Sequence, residues 1–467
     1  LLAKPNLDRA INRERMIMLQ SKCMMNLGKK DEARKLFIEQ LKNLRTPSYK
    51  TAALAAICDV SFGKSEWDKV IEWTAKLATS KPAPDQAARG LYQRGFALFQ
   101  TEKPKEAAES MAKVATLQTA PEWKTLAAYL QGQCHVNLKE YDKAEPTLAA
   151  ALPGLTESDA AECQYQLGLT RFLLMKYELA LVDFEAYLKQ AKPGAQNNKK
   201  GKKKKKQNGE AQPGAHVEEA KFYLARCLLE LEDYKKADQK FAELAQAEGL
   251  LAAKSNLWWA RVHSRRKDNY ERSAQILAEA VKRFNRSAEI DDLEFDYANA
   301  LMASKVPDWK KASDALGHVE GRRKFSQMAE VIGQRATCLH KLKDYGNSLN
   351  ASVNFLAKFA DHSLAGDTRF LRGENLYLLN RGDEASKAYT EFINAHKDHK
   401  NVMAAQMRIS QVHHHAKRWD QALASARPLL AKKPEGKLFT QLAFVVGDCF
   451  FRKEKWKDSI QPLEDFV

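Results

Sequence analysis

The sequence predicts an all-α solenoid of about twelve helix-turn-helix repeats. Three observations point there. A short pattern returns twelve times, most often 37 residues after its last appearance. Within it, a small residue is followed nine positions later by an aromatic slot, and three positions after that by Ala or Ser. Apolar residues around each slot recur at spacings of three and four, the helical period, and no run shows strand alternation bounded by hairpin turns.

In chain order the slots are Lys30, Trp67, Pro104, Tyr141, Tyr177, Tyr234, Tyr270, Trp309, Tyr345, Gly382, Trp419 and Trp456, and nine of the twelve hold Tyr or Trp. Nine residues earlier stand Ser21, Cys58, Gly95, Gly132, Gly168, Ala225, Arg261, Ala300, Ala336, Gly373, Ser410 and Gly447, small in all but Arg261. Three residues after the slot stand Ala or Ser, with Val70 the exception. Two helices approach to roughly 8 Å only where the residues at their crossing are small. The paired small positions therefore predict the contact between the two helices of each repeat, and the slot aromatic opens the second helix. In repeat 5 the spacing predicts a first helix over 158–174 with Ser158 as N-cap. A turn follows at Met175-Lys176, then a second helix from Tyr177 to Gln190 with Ala180, Leu181, Phe184 and Leu188 on one stripe.

This arrangement resembles the tetratricopeptide repeat family. The likeness rests on the small residue, the slot aromatic, the Ala three later and a large apolar residue seven later, such as Phe37, Phe184, Phe241 or Tyr389. A late proline at Pro47, Pro82, Pro121, Pro193 and Pro434 adds to it. The likeness covers essentially the whole chain. The period is longer than the family's usual ~34 residues, and the turn glycine is mostly absent. Long, degenerate repeats of this kind look most like bacterial arrays, including those of the cell envelope. The resemblance implies a right-handed superhelix whose concave groove holds a partner protein.

The expected organisation is repeats 1–5 over residues 1–191, a Lys-rich insertion over 192–215, and repeats 6–12 over 216–467 with the last one truncated. Leu1-Leu2-Ala3-Lys4-Pro5 resembles Leu429 to Pro434, the end of a second helix, so both ends are expected to be cut from a longer array. No stretch approaches 18 consecutive apolar residues, so no membrane span is expected.

The net charge is +17. Residues 192–215 hold eight Lys and one Glu, which accounts for +7. Lys199, Lys200, Lys202, Lys203, Lys204, Lys205 and Lys206 could contact a polyanion or nucleic acid without sequence preference. The insertion has no apolar residue larger than Ala, so its composition predicts disorder. It also has no interleaved aromatic to stack on bases. The remaining excess clusters at the turns within repeats, at Lys139, Lys176, Lys417-Arg418, Lys453 and Lys455 among others, and predicts a basic ridge. A cation at the end of a first helix is also favoured there by the helix dipole.

Of seven cysteines, Cys23, Cys134, Cys227, Cys338 and Cys449 stand seven residues before their slots and Cys58 takes a small crossing position. Cysteine there reads as a small buried hydrophobe. Free thiols point to a reducing compartment, whereas the family resemblance points to the bacterial envelope or periplasm.

Catalytic chemistry finds little support. Successive residues of His413-His414-His415 diverge by about 100° on a helix, so the three cannot share a metal. The acidic run Glu289, Asp291, Asp292, Glu294 and Asp296 opens a helix, where the dipole favours acids. There is no phosphate-binding glycine loop, no His-Glu-x-x-His and no Gly-x-Ser-x-Gly. No catalytic residue, metal or cofactor is expected. What remains is a surface. Positions twelve, eight and five before the slot form one stripe on the first helix. In repeats 3 to 5 it carries Tyr92, Phe96, Phe99, Tyr129, Tyr165, Leu169 and Phe172, the expected floor of a groove for a partner peptide or helix. The same positions also suit packing between neighbouring first helices.

Overall fold

The computed structural model of the chain describes residues 5–191, 215–267 and 269–467. Its helices come in pairs. Repeat 1 is α1 (Pro5–Asn26) and α2 (Lys30–Gln40), repeat 2 α3 (Pro47–Gly63) and α4 (Trp67–Thr79), repeat 3 α5 (Pro84–Gln100) and α6 (Pro104–Ala115). Repeat 4 is α7 (Pro121–Asn137) and α8 (Tyr141–Ala151), repeat 5 α9 (Glu157–Leu173) and α10 (Tyr177–Gln190), repeat 6 α11 (Val217–Glu230) and α12 (Tyr234–Gln246). Repeat 7 is α13 (Ala252–Arg265) and α14 (Tyr270–Arg283), repeat 8 α15 (Ile290–Ala303) and α16 (Trp309–Arg322), repeat 9 α17 (Met328–Lys341) and α18 (Tyr345–Lys358). Repeat 10 is α19 (Ala365–Leu378) and α20 (Gly382–Ala395), repeat 11 α21 (Val402–His415) and α22 (Trp419–Leu430), repeat 12 α23 (Lys437–Arg452) and α24 (Trp456–Phe466). Each second helix starts on its slot residue. Among the described residues there is no strand.

The chain divides into two compact bodies, Leu1–Leu244 and Ala245–Val467. The division falls inside α12, not at the Lys-rich insertion, because α10 and α11 on either side of the insertion still pack together.

The small positions do the work the spacing assigns them. The residues three after the slot, from Ala33 to Ser459, are all buried. The glycines nine before it face the residue seven after it. A Cβ built on Gly132 would lie 2.5 Å from Leu148 Cδ2, on Gly168 3.0 Å from Phe184 Cε1, and on Gly447 2.7 Å from Leu463 Cδ2. These approaches exclude a side chain, so the two helices of a repeat lock through a hole that glycine supplies.

Arg261 departs from the expected register. The turn from α13 to α14 is one residue longer than in most repeats, so the buried small position there is Ala260. Arg261 turns outward and pairs with Asp296 at 2.6 Å. Ser158 also differs: α9 begins at Glu157 behind Thr156, so Ser158 lies in the first turn and not at the cap.

The intra-repeat turn has a geometry its sequence hides. Two residues before the slot, Ser65, Glu102, Lys139, Met175, Glu232, Lys343, Asn380, Lys417 and Glu454 all adopt positive φ of 57–62°. The next backbone N–H reaches back five residues, as from Lys176 N to Arg171 O at 2.9 Å, closing the end of the first helix. Gly28, with φ of 77°, is the only glycine at this position.

In the N-terminal body the first helices of successive repeats touch one another, α1 on α3, α3 on α5, α5 on α7, α7 on α9 and α9 on α11. The second helices α2, α4, α6, α8 and α10 make no comparable contact. The first helices are therefore the more tightly spaced, inner layer of that body.

Candidate functional site

The predicted groove residues lie on this inner layer, on α5, α7 and α9. Tyr92, Phe96, Phe99, Tyr129, Leu169 and Phe172 are each half-buried. Tyr165 is not available. It is only 6% exposed, its ring stacks on His216 with centroids 4.3 Å apart, and its hydroxyl donates to Glu219 at 2.9 Å. It joins repeats 5 and 6 and cannot floor a groove.

The remaining stripe residues also contact the neighbouring repeats. Phe96 lies 5.3 Å from Phe62 and 5.7 Å from Trp67, both of repeat 2. Tyr92 lies 5.9 Å from Trp123 of repeat 4. Phe172 meets Tyr223 of repeat 6 at 5.1 Å, with the Arg226 guanidinium over its ring. Tyr129 packs against the cluster of Leu148, Cys163 and Leu167. Burial pushes the Tyr92 hydroxyl up to about 12, and burial followed by the nearby Glu162 carboxylate raises that of Tyr129. These are neutral, apolar-facing rings at every physiological pH. The stripe is thus a seam between first helices whose outer edge stays open to solvent.

In the C-terminal body polar residues interrupt the same stripe, which still carries Trp258, Tyr297, Phe370 and Phe444 at its first position. Glu374 accepts two bonds from Arg408, at 2.8 and 3.0 Å. His340 is 2.7 Å from Asn375, and His414 is 2.8 Å from Asp448. These paired polar side chains break up the apolar stripe in repeats 9 to 11, while Phe444 and Phe451 of repeat 12 remain exposed.

The histidine run separates as helical geometry requires. His414 goes to Asp448, His415 lies 3.2 Å from Tyr377 Oη, and burial lowers the His413 pKa below the ordinary histidine value. The acidic run is used in ion pairs: Asp291 and Glu294 with Arg322, and Asp296 with Arg261. Among the described residues no group of three or more His, Cys, Asp or Glu could hold a metal.

Lys199, Lys200, Lys202, Lys203, Lys204, Lys205 and Lys206 lie outside the described residues. The basic ridge at the turns is partly neutralised. Lys64 pairs with Asp31, Lys453 with Asp420, Arg418 with Asp383 at 2.8 Å, and Lys176 with Glu145 at 2.5 Å. In each case a turn cation meets an acid on the second helix of the preceding repeat. These pairs tie repeat to repeat and leave less free charge for a polyanion than the sequence suggested.

Six cysteines are buried and free, at positions 58, 134, 163, 227, 338 and 449. Burial pushes each of these thiols up to about 12, so none is a nucleophile near neutral pH. Cys23 is the correction: it is exposed on α1 and does not pack.

One apolar surface escaped the sequence reading. Positions two and five after the slot face outward on every second helix and are polar, small or proline in eleven repeats. In repeat 5 they are Leu179 and Val182, 47% and 61% exposed, beside Met175 at 73%. The repeat register carried this signal, since the departure is visible once the repeats are superposed. Clefts also open elsewhere on the N-terminal body, one of ≈ 460 Å³ beside Met18, Met25 and Tyr49 and one of ≈ 380 Å³ between α4, α5 and α6.

No helix among the described residues is long and apolar enough to cross a membrane. No protein-family model matches the chain, and no curated protein matches it significantly.

Proposed function

We propose that the chain is a non-catalytic, tetratricopeptide-like scaffold that binds another protein through the inner face of repeats 3 to 5. One observation carries this reading: the inner layer of the N-terminal body presents a half-open stripe of Tyr92, Phe96, Phe99, Tyr129, Leu169 and Phe172. Contiguous apolar surface of this kind marks an interaction site on a soluble protein. An amphipathic helix or extended apolar peptide laid along the stripe would cover the ring edges and extend the seam that already holds the first helices together. The paired polar residues of the later repeats favour confinement of the partner to the N-terminal body.

Tyr129→Ala with Leu169→Ala tests the reading, with the fold checked alongside because Tyr129, like Phe96 and Phe172, also packs across a repeat seam. The double variant should lose the partner in a pull-down while keeping its far-UV circular dichroism. Retention of the partner would move the binding surface off the stripe. Binding that falls steeply with salt, and disappears when residues 195–212 are removed, would instead identify a polyanion partner.

A further inference from the structure

Arg94 on α5 stands ten residues before its slot. Two other repeats carry arginine there, and both pair it with a carboxylate. Arg335 donates to Glu320 at 2.6 Å, and Arg372 to Glu391 at 3.0 Å. Glu320 stands eleven residues after the slot of the preceding repeat, and Glu391 nine residues after the slot of its own. The two corresponding positions around Arg94 are Ala78 and Lys113. One carboxylate is missing and the other is replaced by a cation. Arg94 has no ion pair among the described residues. Its Nη1 donates to the backbone carbonyl of Ile71 at 3.0 Å, which fixes the guanidinium.

A cleft of ≈ 380 Å³ lies where those carboxylates would be. Arg94, Lys113 and Ala78 line it, with Leu77, Pro82 and Leu91 among its apolar walls. Its size falls at the small end of ligand sites, roughly 300–1,000 Å³, and apolar walls with a few fixed polar groups are their usual lining. A half-buried guanidinium held by one backbone bond has donors to spare for a planar, bidentate acceptor. Lys113 adds a second positive charge at the rim. The site is separate from the inner stripe, because the position ten before the slot points away from those at twelve, eight and five.

We propose that this cleft binds an external carboxylate carried on a short aliphatic body, with Arg94 gripping the carboxylate, Lys113 reinforcing it, and Leu77, Pro82 and Leu91 taking the hydrocarbon. The external acid occupies the place that Glu320 and Glu391 fill internally in the later repeats. A free aliphatic acid and the C-terminus of a peptide ending in an aliphatic residue share this chemistry.

Isothermal titration of the whole chain with hexanoate, hexanol and hexylamine tests it, with N-acetyl-leucine and its amide as the peptide-end pair. Hexanoate should bind at least tenfold more tightly than hexanol, and hexylamine should not bind. Preference for N-acetyl-leucine over hexanoate would identify the peptide end as the source, and the reverse a free acid. Arg94→Gln should weaken the acid at least tenfold. Lys113→Glu should abolish binding by supplying the internal partner that Arg372 has, without loss of helicity. Hexanoate binding no tighter than hexanol, indifferent to both variants, or absent altogether would overturn the proposal.

Discussion

A single methyl group added at Gly373 should loosen repeat 10 and little else. The new Cβ would sit 2.5 Å from Tyr389 Cε1 and 2.6 Å from Cδ1, well inside contact distance. The ring cannot swing away freely. Tyr389 is fully buried, and its hydroxyl donates to Glu374 at 2.5 Å, which in turn holds Arg408 of repeat 11. Overpacking such a site costs roughly 1–3 kcal/mol. Replacing a mid-helix glycine by alanine gives back roughly 0.8–1 kcal/mol. The expected net loss for Gly373→Ala is about 0.5–2 kcal/mol. Contacts in a repeat array are mostly between neighbours, so the loss should stay local. Native-state hydrogen exchange reads it directly: amides of α19 and α20 should open about 2- to 30-fold more often, and those of α5 and α6 should not change. Gly346, with no atom within 4 Å of its added Cβ, is the control. Gly346→Ala should be neutral or stabilising by up to ~1 kcal/mol. Combining Gly373→Ala with Tyr389→Leu should cost less than the sum of the two, because the smaller side chain vacates the clash. Equal behaviour of Gly373→Ala and Gly346→Ala, or strict additivity with Tyr389→Leu, would refute the hole-filling role of the glycine.

Other perturbations read other parts of the structure. Met175 holds φ at 58° with its side chain largely in solvent, so Met175→Gly should stabilise by up to ~1 kcal/mol, the left-handed penalty of about 1–2 kcal/mol outweighing glycine's entropy cost of about 0.5–1 kcal/mol. Met175→Val should do the reverse, and both are read as shifts in the urea midpoint at constant slope. The Arg418 guanidinium holds the Asp383 carboxyl below its ordinary range through a hydrogen bond and its charge. Because the folded value lies below the unfolded one, near 3.9, this contribution is complete above the unfolded value and is lost as pH falls through the folded one. Asp383→Asn should therefore flatten part of the acid limb of the stability curve below about pH 4 and leave its shape near neutrality unchanged. An unchanged acid limb would mean that the pair is not formed in solution.

The fold was legible because its cause is local and repeated. A small residue at one position and a slot twelve times over fix where each helix pair crosses, and every second helix begins on its slot. The register slips where one turn is longer, as at Arg261, since an extra residue rotates the next helix position without altering composition. The left-handed turn residues were hidden because Glu, Lys and Met carry no mark of positive φ. The candidate site was legible only as a stripe. Sequence spacing put Tyr165 in line with Tyr92 and Tyr129 but could not foresee His216 of the next repeat closing over its ring, because an insertion separates the two in sequence. The unpaired Arg94 was invisible for a related reason: its significance lies in what Ala78 and Lys113 are not, which only the paired Arg335 and Arg372 reveal.

Site-directed photo-crosslinking tests the scaffold reading most directly. A benzophenone side chain placed at Leu169 or Phe99, on the inner stripe, is compared with one at Val182 or Lys189, on the outer face of α10. The inner positions should give one discrete protein adduct, excess of the partner's own apolar segment should compete it away, and Tyr129→Ala should abolish it. Adducts from Val182 or Lys189 alone, unaffected by Tyr129→Ala, would contradict the account and place the interaction on the outer face.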